Sequence, residues 1–374
     1  MSLMVDSRVE KLAKLCVHYS VDVKSKEQVV IRELSELAFP LINEIYRECL
    51  LCDAYPIVMF HSDVGHTPFA YTFYKYAKEH QLEFVSPVDK FVFENMDVLI
   101  TPFCTPNPKR LTNIHPSNIK MYIASKRELM EIYRKRVAEG KLRWTVLPYP
   151  LNAQAQEAAM SLAEYEDFVY SSCLVDKEDP IAEWKKIHKE QEKICEFLNQ
   201  TSEIRIVGDD TDLTFSVKSR QWINGSGEKN MPDGEVFTGP IEDSVEGKIR
   251  FTFPGIRAGK EIEDIKLTFK EGKVVKASAV KGNGLLQETL KIDGADRIGE
   301  AAIGTNYGIK RFTKNMLFDE KMGGTIHIAL GASIPESGGL NNSAIHWDIL
   351  KDMKKHGEIY ADGKLFYKNG MFLI

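Results

Sequence analysis

The sequence predicts two domains: an α/β N-terminal domain with a mainly parallel sheet, and a mostly antiparallel β C-terminal domain. Three observations carry this reading. A chain of 374 residues exceeds what one hydrophobic core usually organises. Through the first half, apolar strand-like runs alternate with amphipathic helical stretches. From residue 202 onward, short strand-like runs take over and glycine becomes frequent, at 225, 227, 234, 239, 247, 255, 259, 272, 282 and 284.

In the first half, strand candidates lie at residues 28–32 (QVVIR), 55–61 (YPIVMFH), 98–102 (VLITP), 120–124 and 143–147. Between them, residues 38–52 place apolar side chains at a 3.6-residue spacing, and residues 68–80 gather aromatics on one face. Strands that alternate with helices predict a parallel sheet. Connecting helices are expected at 154–162 and 181–199, with Pro180 near a helix start. Beyond them, residues 203–207, 211–217 and 248–253 read as antiparallel strands. Residues 263–269 and 273–280 read as a hairpin turning on Glu271-Gly272. The division is placed at residues 1–200 and 201–374.

Composition excludes several functions. The net charge is −5 with Lys and Arg scattered, so neither nucleic acid nor a membrane surface is an expected partner. No apolar run approaches the roughly eighteen residues of a membrane span. The start of the chain lacks a basic stretch followed by an apolar one, so no secretory signal is expected. Six cysteines in a chain this long read as reduced thiols in a cytoplasmic protein. Cys49 and Cys52 fall within a predicted helix at 41–52 and read as helix-buried thiols. No G-x-G-x-x-G, phosphate loop or G-x-S-x-G elbow occurs, which disfavours nucleotide binding and serine hydrolysis. Asp209-Asp210-Thr211-Asp212 lacks the glycine and distal glutamate of a calcium loop and reads as a polar turn.

Five residues of the second half have metal-ligand character: Glu235, Glu300, His327, His346 and Asp348. His346-Trp347-Asp348, if extended, projects an imidazole and a carboxylate to one side. In Thr325-Ile326-His327-Ile328-Ala329-Leu330, the isoleucines and leucine take one face and His327 lies between Thr325 and Ala329 on the other. Glu235 follows the turn residues Pro232-Asp233-Gly234 at the start of an apolar run, where a carboxylate needs a partner. Glu300 lies among small apolar residues, where desolvation raises a carboxyl and suits it to base catalysis. Each alone has an ordinary alternative: a solvated loop, a hydrogen-bonded core histidine, a salt bridge or an exposed turn. Together they are about the set that two divalent ions require.

At these residues the sequence resembles the thermophilic-type metalloaminopeptidases (aminopeptidases T, S and II of bacteria). The matching blocks are Trp222-Ile223-Asn224, Asn230-Met231-Pro232-Asp233-Gly234-Glu235 with Val236-Phe237-Thr238-Gly239-Pro240, and Glu242-Asp243-Ser244-Val245-Glu246-Gly247. They continue with Gly299-Glu300, Gly304-Thr305-Asn306, Phe318-Asp319-Glu320-Lys321, the run from Gly324 to Gly331, and Ser343-Ala344-Ile345-His346-Trp347-Asp348. Upstream, Gln156-Glu157-Ala158-Ala159-Met160-Ser161 and Glu164-Tyr165-Glu166-Asp167-Phe168 also match. The resemblance implies ligation of two divalent ions (Zn, Co, Mn or Mg) by Glu235, Glu300, His327, His346 and Asp348. It also implies removal of N-terminal residues from peptides with a free N-terminus, and a homodimer.

Within that expectation a metal-activated water attacks the peptide and a carboxylate accepts its proton. Glu300 is the first candidate for that carboxylate and Glu320 the second. One position departs from the family pattern: Ile334 stands seven residues after His327, where the family usually carries tyrosine. Isoleucine offers neither donor nor acceptor. A weakly active or non-catalytic homologue, or a hydrolase of other amides, therefore stands as the alternative. Tyr307 is a candidate substitute for the missing phenol.

Overall fold

The computed structural model describes residues 6–33, 35–60, 67, 69–257 and 259–374. Two compact units are formed, Met1–Ile181 with Gly227–Pro232, and Ala182–Ser226 with Asp233–Ile374. The break placed near residue 200 lies at the end of the helix Pro180–Leu198, most of which belongs to the second unit. Side-chain chemistry explains this. Cys195 and Leu198 join the core of the second unit, and Gln191 Nε2 donates to the carbonyls of Gly225 and Glu235, each at 2.9 Å.

In the first unit, strands β1 (Gln28–Glu33), β2 (Tyr55–Phe60), β3 (Val98–Phe103) and β4 (Arg143–Pro148) form a sheet of order β2–β1–β3–β4. Every neighbouring pair is parallel, as the alternation of strands and helices predicts. Val30 and Leu99 of this sheet pack with Val92, Phe93 and Leu129 from the helices Pro87–Asn95 and Arg127–Ala138. His61 and Pro68, which bound two of the expected elements, lie outside the described residues.

Three local expectations are corrected. Residues 120–124 belong to a helix, Pro116–Ser125, and not to a strand. Pro116 stands in its first turn, the His115 side chain accepts from the Ser117 amide, and Tyr122 alone is buried. The helix expected at 154–162 is two helices, Asn152–Glu157 and Leu162–Ser172. Ala159 takes a φ of 53°, and Ser161 with Glu164 makes a capping box that starts the second helix afresh. Cys49 is buried as expected, but Cys52 ends its helix and is only half-buried, with Sγ 3.8 Å from His18 Nδ1.

The second unit is antiparallel. Its first group of strands is β5 (Glu203–Gly208), β6 (Thr211–Ser216), β7 (Ile223–Gly225), β8 (Glu235–Thr238) and β9 (Glu246–Arg250). A short pair follows, β10 (Gly255–Arg257) and β11 (Lys260–Ile262), and then β12 (Lys266–Lys270) and β13 (Lys273–Ser278). The last are β14 (Ile298–Gly304), β15 (Thr325–Gly331), β16 (His346–Asp352), β17 (Glu358–Ala361), β18 (Lys364–Lys368) and β19 (Met371–Phe372). One sheet runs β13–β12–β9–β6–β5–β17–β18–β19, and another runs β16–β15–β14–β8–β7. Leu213, Phe215, Ile249 and Leu267 of the first share a core with Val236, Ile303, Ile326, Ile328 and Ile349 of the second. The β12–β13 turn is the expected one: Glu271 and Gly272 have φ of 49° and 76°, the two left-handed residues that suit a tight hairpin.

Candidate metal centre

The five candidate ligands come from four adjacent strands of the β16–β15–β14–β8–β7 sheet and share one face. His327 lies opposite Ala302 on one side and Leu350 on the other. Glu300 and Asp348 both lie opposite Ala329, His346 opposite Gly331, and Glu235 opposite Gly304. Apart from Leu350 these opposite residues are alanines and glycines, which leaves room for long side chains to converge. The other face of β15 sends Ile326, Ile328 and Leu330 into the core. The register therefore points the polar set away from the hydrophobic layer.

Two glycines make this possible. The β14–β15 pairing shifts register between Ile298 and Glu300, and a bulge of this kind re-aims the following side chain. A Cβ on Gly299, at that shift, would lie 2.3 Å from the carbonyl oxygens of both Gly331 and Ala332. Gly234, with φ 121°, brings the chain into β8, and a Cβ there would lie 2.7 Å from Asn306 Cβ.

Glu300 lies between the two imidazoles. Its Oε1 is 3.2 Å from His327 Nε2 and its Oε2 is 3.4 Å from His346 Nε2. Glu235 Oε2 is 3.5 Å from His327 Nε2, and Asp348 Oδ1 is 3.3 Å from His346 Nε2. Each imidazole is oriented from behind. His327 Nδ1 donates to the Glu320 carbonyl at 3.1 Å and His346 Nδ1 to the Ala332 carbonyl at 2.7 Å, so both Nε2 atoms face the carboxylates.

The electrostatics follow from burial and crowding. Burial alone would lower His327, but hydrogen bonding to Glu300 and the charges of Glu235 and Asp348 push it up to about 9. His346 rises to about 12, Asp348 and Glu300 outweighing its burial. Burial pushes Glu235 up to about 8 against Lys321 and His327. Burial would raise Glu300 and Asp348 as well, yet the imidazoles hold both below the usual carboxylate range.

A divalent cation fits this chemistry. Glu235 Oε2 and Asp348 Oδ1 are buried and accept no hydrogen bond. Donor atoms of Glu235, Glu300 and His327 all lie within 4.8 Å of one another. Three carboxylates and two imidazoles are the donor types that borderline divalent ions accept.

Glu320 stands at the edge of this set, its side chain 17% exposed, and burial raises its carboxyl. Lys321 was not singled out in the sequence. It is buried and paired with both Glu235 and Glu320. Its place in the Phe318-Asp319-Glu320-Lys321 block was the available signal, but a lysine beside a glutamate ordinarily reads as a surface pair. Ile334 opens the short 3₁₀ turn Pro335–Ser337, two residues beyond the carbonyl that orients His346. Tyr307 does not supply the missing phenol, because its hydroxyl donates to the Gly370 carbonyl at 2.8 Å.

The family model for thermophilic metalloproteases (M29) matches residues 5–372. The chain belongs to this family. It is a metalloprotease, a hydrolase acting on peptide bonds, and its family implies a divalent metal. Among its relatives, aminopeptidase 2 of Geobacillus stearothermophilus is 26% identical over 96% of this chain and 95% of its own. Aminopeptidase PepS of Streptococcus thermophilus is 27% identical over 98% of both chains. The solved structure of wild-type AmpT from Thermus thermophilus superposes with a TM-score of 0.82 at 21% identity, covering 98% of this chain and 99% of that one. A 2,5-dihydroxypyridine dioxygenase from Pseudomonas putida KT2440 shares the fold at a TM-score of 0.57 and 13% identity, over 98% and 96% of the two chains. One fold thus carries different chemistries, and the reaction must be argued from the site. Among the described residues no helix is long and apolar enough to cross a membrane.

Proposed function

We propose that this chain is a two-metal aminopeptidase that removes N-terminal residues from peptides with a free N-terminus. Glu235, Glu300, His327, His346 and Asp348 would hold the ions, with Glu300 shared between them. One observation carries the reading. The two oxygens of Glu300 face different imidazoles, at 3.2 and 3.4 Å, and beside each imidazole lies a buried carboxylate oxygen without a hydrogen bond. This arrangement supports two half-sites that would share one carboxylate. The aminopeptidase names of the relatives support the substrate class.

When bound, the ions supply Lewis acidity to the scissile carbonyl and to the attacking water. The protein's own groups do the rest. The Glu320 and Ala332 carbonyls hold the imidazoles in one tautomer, so Nε2 is the atom each presents. Glu300 would be taken up as a ligand of both half-sites, so Glu320 suits the role of proton acceptor better. It is partly exposed, and burial raises its carboxyl above the ordinary value against the pull of Lys321, the direction that suits a base.

The test is metal stoichiometry by anomalous scattering, combined with turnover of aminoacyl chromogenic substrates in the presence of Zn²⁺, Co²⁺, Mn²⁺ or Mg²⁺. Two ions per chain and turnover are expected, and absence of turnover with every metal overturns the proposal. The homodimer and a reducing, cytoplasmic setting belong to the same proposal. All six cysteines are free, which agrees with that setting, and sedimentation tests the dimer. A second reading, a slow member of the family, is favoured by Ile334 together with the committed hydroxyl of Tyr307.

A further inference from the structure

Lys321 is among the largest fully buried side chains of the chain. A buried ammonium is tolerated only when it is paired. Lys351, also fully buried in the second unit, meets that need with backbone, its Nζ donating to the carbonyls of Asp209 at 3.1 Å and Arg250 at 3.2 Å. Lys321 is held differently. Its Nζ contacts Glu235 Oε1 at 2.7 Å and also Glu320 Oε1. Both partners are carboxylates of the candidate metal centre.

The backbone that delivers Lys321 is fixed from several sides. Its amide donates to the Phe318 carbonyl at 3.1 Å, and its own carbonyl accepts from the Asn306 amide at 3.0 Å. Asp319, two residues earlier, is buried and accepts from the Thr313 amide at 2.7 Å and the Thr313 hydroxyl at 2.8 Å. Gly304 of β14 lies so close that a Cβ there would sit 2.1 Å from the Met322 carbonyl oxygen. The same turn provides the Glu320 carbonyl that orients His327.

Glu235 therefore has one oxygen committed and one uncommitted. Oε1 is bound to Lys321, while Oε2 accepts no hydrogen bond and lies 3.5 Å from His327 Nε2. We infer that Lys321 is a positioning residue of the metal centre: it holds Glu235 as a one-oxygen ligand, with Oε2 presented to the ion, and steadies Glu320 beside it. The inference rests on the proposed metal-binding role of this cluster. Outer partners that orient metal ligands typically contribute about 10–100-fold in metal affinity.

The experiment measures Co²⁺ affinity of the full chain by competition with a chromogenic chelator, together with the visible d–d spectrum of the Co²⁺-loaded protein. Thermal melts identify the folded fraction. K321M should bind Co²⁺ about 10–100-fold more weakly than wild type, with changed d–d bands, because Glu235 is freed to rotate or chelate with both oxygens. K321Q, which keeps an N–H donor, should recover part of the loss. In an E235Q background, adding K321M should change affinity by less than about threefold, because the two residues act as one unit. A folded K321M with wild-type affinity and spectrum overturns the inference, as does an effect that simply adds to that of E235Q. Failure of the wild-type chain to bind any divalent ion is a different result and sinks the metal-centre proposal itself.

Discussion

Removing metal should make the stability of the second unit fall as pH rises from about 6.5 to about 9. His327 carries the argument. Its carboxylate neighbours raise it from 6.5 to about 9 in the folded chain. A folded pKa above the unfolded one means that the imidazolium stabilises the fold fully below pH 6.5, and that this contribution is lost as pH rises through about 9. That interval corresponds to roughly 3 kcal/mol. His346, raised from 6.5 to about 12, acts in the same direction through this window and beyond it, and so does Glu235. Its buried carboxyl, raised to about 8, favours the folded state while protonated and loses that benefit as pH climbs. Glu300 and Asp348 are held low, so their stabilising contribution is lost only as pH falls through the acid range, outside this window. A bound divalent ion requires deprotonated ligands, so the loaded protein should show no such fall. Urea unfolding of chelator-treated protein at pH 6.5 and 9.5 reads the effect. The variant His327→Gln should show a drop smaller by about 3 kcal/mol than wild type. Equal metal-free stability at the two pH values, or an unchanged drop in that variant, refutes the reasoning.

Other perturbations test separate links. Glu300→Gln should reduce the metal content measured by plasma mass spectrometry and lower peptide turnover by about 10³-fold or more, since both half-sites use Glu300. Ile334→Tyr should raise kcat on an aminoacyl anilide by about 10²-fold if an oxyanion donor is what the wild type lacks, and an unchanged kcat removes Ile334 as the deficit. Ser161→Ala removes the cap of the helix Leu162–Ser172 and should lower stability to urea by about 1 kcal/mol without changing metal content. Gly304→Ala places a Cβ 2.1 Å from the Met322 carbonyl oxygen and should destabilise the second unit by about 3 kcal/mol, read as an earlier urea midpoint.

Much of the fold was legible because its signals are local. Alternation in residues 325–330 put His327 on the face opposite the isoleucines, and the structure has that arrangement. Glu271-Gly272 announced its hairpin through the one property a tight turn demands, two residues at positive φ. The misreadings arose where an apolar run is compatible with either period. Residues 120–124 look like a strand until Pro116 and the His115 cap start a helix upstream. The break at Ala159–Met160 is carried by Ser161 and Glu164, a signature visible in the sequence, while the helix expected at 154–162 runs straight through Ser161.

The candidate site was legible in its residue types and illegible in its connections. Glutamates and histidines spaced along a β-rich region suggest a ligand set, since each residue is unusual where it stands. How each one is aimed depends on partners distant in sequence. The shift at Gly299 that re-aims Glu300 depends on the carbonyls of Gly331 and Ala332, and the tautomers of His327 and His346 depend on those of Glu320 and Ala332. Lys321 shows the same limit from the other side. Next to Glu320 it reads as half of a surface ion pair, which is worth little. Only the fold brings Glu235, 86 positions away, to its ammonium and removes both from water. Burial turns a weak neighbour interaction into a constraint on one oxygen of a carboxylate, and that constraint decides which oxygen Glu235 can offer an ion.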